Sequence, residues 1–167
     1  MKYPLDRICV KSGILCPNCQ RKVDTGIVGK YEIPIMKALM ELEDEMKELR
    51  KGEYVKAYEV DNMVVIIVKG FDDYGELEKI SKRLSGKLRK KVKLVNMVGD
   101  RKRLVEQVIA PATLLGLNTL WLPDGREEVI VRVPRREQRL IIGKKKKLEE
   151  LLTKLLGTNV RIRFERI

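Results

Sequence analysis

The sequence predicts an α+β protein in which two small α/β units stand in tandem behind a short cysteine-rich segment. One observation is a repeated order. Helix, strand, strand, helix, strand is read over residues 31–98 and again over 99–167, without obvious identity of sequence. Another is size and composition. A chain of 167 residues with 44% hydrophobic residues suits one large domain or two small ones with real cores. The last is residues 1–30, which hold all three cysteines, Gly13, Gly26 and Gly29, and little apolar periodicity. They read as a loop-rich module of their own.

The elements follow in order. Ile35, Leu39, Leu42, Met46 and Leu49 share one face of a helix over 34–51, with Pro34 in its first turn and Gly52 at its end. Strands are read over 54–60 and 63–69, joined by a tight turn at Asp61-Asn62. Val64 to Val68 is continuously apolar, as in a central strand covered on both faces. A helix over 75–88 turns Leu77, Ile80 and Leu84 inward, and 91–98 is a third strand. The second round begins with a helix over 101–115, capped by Asp100 and kinked at Pro111. Strands 118–122 and 127–133 meet across Pro123-Asp124-Gly125. A short helix over 135–141 leads to Gly143. A leucine-rich helix over 145–156 ends at Gly157, and 158–164 is the closing strand.

The second unit carries a recognisable stretch: Val129 to Val133, the short helix, Leu140-Ile141-Ile142-Gly143-Lys144-Lys145-Lys146, the leucine-rich helix, then Val160-Arg161-Ile162. It resembles a KH domain, whose GXXG loop between two helices clamps about four nucleotides of a single strand. Glycines let the backbone approach phosphates, and the amides of the following helix favour anions. Here the loop is Gly143-Lys144-Lys145-Lys146, so the second glycine is a lysine. Contact should therefore depend more on charge than on a strict glycine clamp, with steep salt dependence. The candidate RNA-binding residues are Arg135, Arg136, Arg139, Ile141, Ile142, Gly143, Lys144, Lys145, Lys146 and Lys147, with Ile141 and Ile142 lining the groove under the bases.

Two such units, each with a helix before its strands, resemble the type II KH pair of the transcription factor NusA, and especially the short archaeal NusA-like proteins. The resemblance covers roughly residues 54–165, including Val108-Ile109-Ala110-Pro111-Ala112 and Leu120-Trp121-Leu122-Pro123-Asp124-Gly125. It implies single-stranded RNA binding and a role in transcription elongation or termination. RNA polymerase is then the expected assembly; the ribosome is the rival. The first unit has the strand pattern without GXXG. Its equivalent stretch, Phe71-Asp72-Asp73-Tyr74-Gly75, is acidic, which suits a scaffold or a protein-docking surface.

Charge agrees with a nucleic-acid partner. The formal net charge is +12. Residues 31–80 carry 7 Lys/Arg against 13 Asp/Glu, whereas 81–163 carry 22 against 8. A secondary basic patch, Lys87, Arg89, Lys90, Lys91 and Lys93 with Arg101, Lys102 and Arg103, extends the candidate track. Lys and Glu dominate the charged residues and Gln is rare, as in thermophiles.

Cys9-x6-Cys16-x2-Cys19 is the other motif. Cys16-Pro17-Asn18-Cys19 is a turn of the zinc-knuckle kind, and a structural zinc site takes four ligands. No histidine exists to complete it. Asp6, spaced as Asp6-x2-Cys9, is the expected fourth ligand, with Asp24 and water as alternatives. A structural zinc would supply folding energy that thirty residues with few apolar side chains lack. Reduced, metal-free thiols or a Cys16–Cys19 redox pair are the competing readings.

Other functions are excluded or disfavoured. Without histidine there is no histidine acid–base catalysis. No Walker loop, activated nucleophile or spaced carboxylate pair is present, so no enzyme and no small-molecule substrate is expected. No apolar run approaches the ~20 residues that span a bilayer, and Met1 to Arg7 has no apolar signal core. A cytoplasmic protein away from membranes is expected. Trp121 can stack on a base, but burial in the core is the expectation.

Overall fold

A computed structural model describes residues 1–166 as an α+β fold with two three-stranded sheets. The chain divides between Met97 and Val98 into two compact units. The first holds α1 (Arg7–Ser12), α2 (Pro17–Asp24), α3 (Glu32–Glu43), a 3-10 turn (Lys47–Lys51), β1 (Glu53–Val60), β2 (Met63–Lys69), α4 (Tyr74–Leu88) and β3 (Lys91–Asn96). β2 is central, antiparallel to β1 and parallel to β3. The second holds α5 (Arg101–Ile109), β4 (Gly116–Trp121), β5 (Glu127–Pro134), 3-10 turns at Arg135–Leu140 and Ile142–Lys144, α6 (Lys145–Leu156) and β6 (Asn159–Glu165). β5 is central, again antiparallel to the strand before it and parallel to the strand after it.

The repeat extends to the edge strands. The outward N–H groups of Val92 and Leu94 in β3 donate to Ser85 Oγ (3.0 Å) and Ser81 Oγ (3.2 Å) on α4. Those of Val160 and Ile162 in β6 donate to Thr153 Oγ1 (3.1 Å) and Glu149 Oε2 (2.8 Å) on α6. Each donor and acceptor recurs 68 positions later: 81 and 149, 85 and 153, 92 and 160, 94 and 162. Side chains four apart on a helix share a face, so one helix face blocks the open edge of its strand in each unit.

The first unit's core joins Met36, Leu39 and Leu42 of α3 to Leu77, Ile80 and Leu84 of α4 and to Val64, Ile66 and Val68 of β2. Leu5, Cys9, Val10, Cys19 and Val28 belong to the same core. The expectation of a separate loop-rich module over 1–30 is therefore corrected: the segment forms two short helices and packs into the first unit. Its apolar residues are few in sequence but contiguous in space. Glu32, 1% exposed, ties the turn before α3 to β1. It accepts hydrogen bonds from Gly29 N (2.7 Å), Tyr54 Oη (2.7 Å), Lys56 Nζ (2.9 Å) and Ala57 N (3.0 Å).

Two helices are shorter than their patterns. The helix expected over 34–51 ends at Glu43, and a 3-10 turn carries Leu49 back into the core. Around that end Glu43 pairs with the Met1 ammonium and with Arg7, and Glu45 with Arg83. The helix expected over 101–115 ends at Ile109 instead of kinking, because the residue before Pro111, Ala110, takes an extended ψ of 142°. The continuous apolar run of β2 is as expected, with every residue from Met63 to Val68 buried.

Candidate functional site

In the first unit the sequence brings four ligand groups together. Val10 anchors α1 and Cys19 anchors α2 in the core, and the chain between them places Cys16 as the N-cap of α2. The ligand atoms of Asp6, Cys9, Cys16 and Cys19 all lie within 4.8 Å of one another, so these residues can hold a metal ion. The donor set fits a small tetrahedral ion. Zn–S and Zn–O bonds of about 2.3 and 2.0 Å place neighbouring S and O ligands roughly 3.5 Å apart. Cys16 Sγ lies 3.6 Å from Asp6 Oδ2. Each sulfur also receives one backbone N–H: Cys16 N on Cys9 (3.3 Å), Cys19 N on Cys16 (3.5 Å) and Asp6 N on Cys19 (3.3 Å). The Cys19 amide pulls the Cys16 thiol below its ordinary range, whereas burial pushes the Cys19 thiol up to about 11. A cation is what a buried thiolate there needs, because metal binding and deprotonation are coupled. Asp24 stands outside the cluster and accepts from Gln20 Nε2 at 2.8 Å.

In the second unit the 3-10 turn Arg135–Leu140 exposes Arg135, Arg136 and Arg139. Arg136 acts on the carboxylate of its neighbour Glu137. The turn is pinned from below by Glu137, which accepts from Thr113 N (2.7 Å) and Thr113 Oγ1 (2.9 Å). Those bonds hold the Glu137 carboxyl below its ordinary range. Sequence reasoning missed this brace, because Thr113 and Glu137 lie on different loops with no motif linking them.

Gly143, Lys146 and Lys147 are exposed, and Lys144 and Lys145 half-buried. Lys145 Nζ lies 5.7 Å from the centre of the Phe164 ring. Gly143 has no left-handed backbone to explain it, and a Cβ built there would touch nothing within 4 Å. Ile142 is 51% exposed, but Ile141 is only 1% exposed. The expectation that both line a groove is corrected: Ile141 is a core residue that anchors the turn, and Ile142 alone offers an apolar surface.

The two units differ at their matching helix starts. Asp73 caps α4, its carboxylate accepting from Gly75 N at 2.9 Å. α6 has no side-chain cap and no acidic residue in its first turn. Lysines 144–147 stand there instead, where cations oppose the dipole by about 0.3–1 kcal/mol each.

Three members of the secondary basic patch pair with carboxylates. Lys87 pairs with Glu41 (3.8 Å), Arg101 with Glu127 (2.8 Å) and Arg103 with Asp100 (3.8 Å). Arg89, Lys90 and Lys91 share a hollow with Glu59 and Asp61. Lys102 is exposed. Trp121, expected in the core, is 71% exposed at the end of β4. No helix among the described residues is long and apolar enough to cross a membrane.

No family model matches the sequence, and no curated protein does. Among solved structures, the crystal structure of APE1850 is similar, with a TM-score of 0.51 and 19% identity over 77% of this chain and 96% of that one. At that identity the likeness speaks to the fold alone, an α+β arrangement shared over most of both chains.

Proposed function

We propose that the protein binds single-stranded RNA through the Arg135–Lys147 stretch of its second unit, as a NusA-like factor of transcription elongation or termination with tandem type II KH-like units. The observation that supports this most is the contrast between matching helix starts. In the first unit a carboxylate of the chain itself fills the helix N-terminus. In the second that place is open, approached by an exposed glycine that the fold does not require, and surrounded by lysines and arginines. An anion from outside explains the glycine and offsets the charge repulsion. A phosphate chain with bases resting on Ile142 fits better than a free phosphate, because the cations extend from Arg135 to Lys147.

Replacing Lys144 to Lys147 together by glutamate tests the reading. Binding to a labelled, unstructured oligoribonucleotide, followed by fluorescence anisotropy, should be abolished. Unchanged affinity at moderate salt would refute the loop as the RNA site. Crosslinking in cells, with recovery of associated protein, separates RNA polymerase from the ribosome as partner.

The ion at Asp6, Cys9, Cys16 and Cys19 we infer to be zinc in a structural role. Three thiolates and a carboxylate with no imidazole suit zinc, and a closed four-ligand set leaves no open position for catalysis. Metal analysis of protein purified without chelator should return about one zinc per chain; none would sink the assignment.

A further inference from the structure

Trp121 has no structural reason for its place. It ends β4, an edge strand whose residues from Asn118 to Trp121 are all exposed. It pairs across the ladder with Glu127, which binds Arg101 at the start of α5 at 2.8 Å. The ring therefore stands on the face of the sheet that meets Arg101 at the start of α5. The hairpin beyond it adds Arg126, whose side chain is 74% exposed and pairs with Asp124 at 2.6 Å. Leu120, the next most exposed apolar residue of this strand at 48%, is its chain neighbour and so faces the opposite side. The two make no continuous apolar patch of the few hundred Å² that mark a protein-docking surface. What remains is one flat, exposed aromatic ring near the ion-paired Arg101 and Arg126, with the backbone edge of β4 next to it. A single unstacked base needs a π-face to stack on and donors and acceptors for its pairing edge.

The comparison of the units points the same way. In the first, β1 and β2 join through the two-residue turn Asp61-Asn62. In the second, the hairpin is longer, running from Trp121 to Glu127, and only this unit has the cationic loop.

We propose that Trp121 is a second RNA contact, a stacking platform for one unpaired base downstream or upstream of the nucleotides held at Gly143. This rests on the RNA-binding reading above. α6 begins beside Gly143 and runs 12 residues, or about 18 Å, toward the sheet end where Asn159 pairs with Glu128, next to Glu127. The two contacts thus stand on the order of 20 Å apart. A strand of about four nucleotides fills the loop alone, whereas a longer one reaches both.

Trp121 is the chain's single tryptophan, so its emission reports this position alone. Full-length protein is titrated with labelled, unstructured oligoribonucleotides of about 4 and about 12 nucleotides. Anisotropy of the label reports binding, and tryptophan emission reports stacking. Both oligonucleotides should bind, and only the longer should quench the emission. Trp121→Ala should weaken the longer roughly tenfold and leave the shorter unchanged, with Trp121→Phe keeping most of the affinity. Binding of the longer oligonucleotide without quenching, or with full affinity in Trp121→Ala, overturns the stacking site and leaves the loop reading intact. Binding of neither overturns the RNA reading and the stacking site with it. A blue shift that grows with protein concentration alone, matched by dimers in sedimentation, places a second copy on the ring and overturns the proposal as well.

Discussion

At the scale of residues, Gly143 and Asp6 carry the sharpest consequences. A glycine retained at an exposed position, with ordinary backbone and empty space around its Cα, is not serving the fold. Gly143→Ala should leave the melting temperature unchanged or slightly raised, since alanine is favoured over glycine at a helix start by up to about 1 kcal/mol. On the proposed reading the same substitution should weaken RNA binding several-fold, because the added methyl would stand where a phosphate is expected to approach. A variant equally stable and equally tight would remove the glycine from the site. Asp6→Ala should lower zinc affinity at least tenfold in a chelator competition, while Asp6→Cys should retain the ion with a more conventional thiolate set. The nearness of Asp6 to the three cysteines was legible in the sequence because all four side chains lie within fourteen positions, where spacing alone restricts geometry. The opposite fates of Ile141 and Ile142 were not, since adjacent apolar residues look alike until the turn between them is known. Trp121 misled for a related reason: its residue type favours burial, but the end of an edge strand overrode it.

At the scale of elements, Glu32 shows how a charged residue organises the first unit. Burial alone would raise its carboxyl, but bonds from Tyr54 Oη, Ala57 N, Gly29 N and Lys56 Nζ overturn that and hold it below the ordinary range. A group depressed in the folded state contributes stability above its unfolded pKa, about 4.3, and that contribution is lost as pH falls through the lower folded value. Glu32→Gln should therefore cost about 2–3 kcal/mol at neutral pH. The gap to the unmodified protein should close only below about pH 4.3 in denaturant titrations; a gap that widens on acidification would contradict the network. Local pattern made most elements legible, because period and breaker residues act over a few positions: β2, α4, α6 and β6 lie within about one residue of expectation. It failed at Glu43, whose ion pairs come from Met1 and Arg7 far off in sequence, and at Ile109, where a proline two residues on cut a helix that apolar spacing alone extended.

At the scale of the whole molecule, charge does not divide as the sequence suggested. The acidic 31–80 stretch and the basic residues before and after it fold into one unit. Up to Met97 the chain holds 20 Lys/Arg and 15 Asp/Glu, and from Val98 onward 16 and 9. Both units are thus positive, +5 and +7, and the contrast survives only locally, at the two helix starts. RNA affinity should accordingly follow the loop rather than the total charge. Four lysines neutralising four phosphates give a slope of log affinity against log salt near −3, so a fourfold rise in salt should weaken binding roughly fifty-fold. Each single Lys→Gln among Lys144 to Lys147 should flatten that slope by about 0.7, and equal flattening by Lys90→Gln would mean that the total charge governs instead.

The proposed metal would have a different reach. Cys9 and Cys19 belong both to the cluster that can hold the ion and to the core that includes Leu39, Leu42 and Ile80. Without the proposed ion, Cys9 and Cys19 would be neutral thiols and no coordination would tie down the segment that supplies Leu5, Val10 and Val28 to that core. Because α3 and α4 with their sheet keep a core of their own, the loss should be several kcal/mol rather than the ~10–16 kcal/mol by which zinc-finger peptides depend on their ion. Hydrogen exchange on the full chain can locate it. After chelation, protection should fall across α1, α2 and α3 and stay unchanged across α6, since the second unit shares no ligand with the site. Re-addition of zinc should restore it. Loss of protection throughout the chain would mean that the two units unfold as one, and no change anywhere would mean that the four side chains hold their places without an ion.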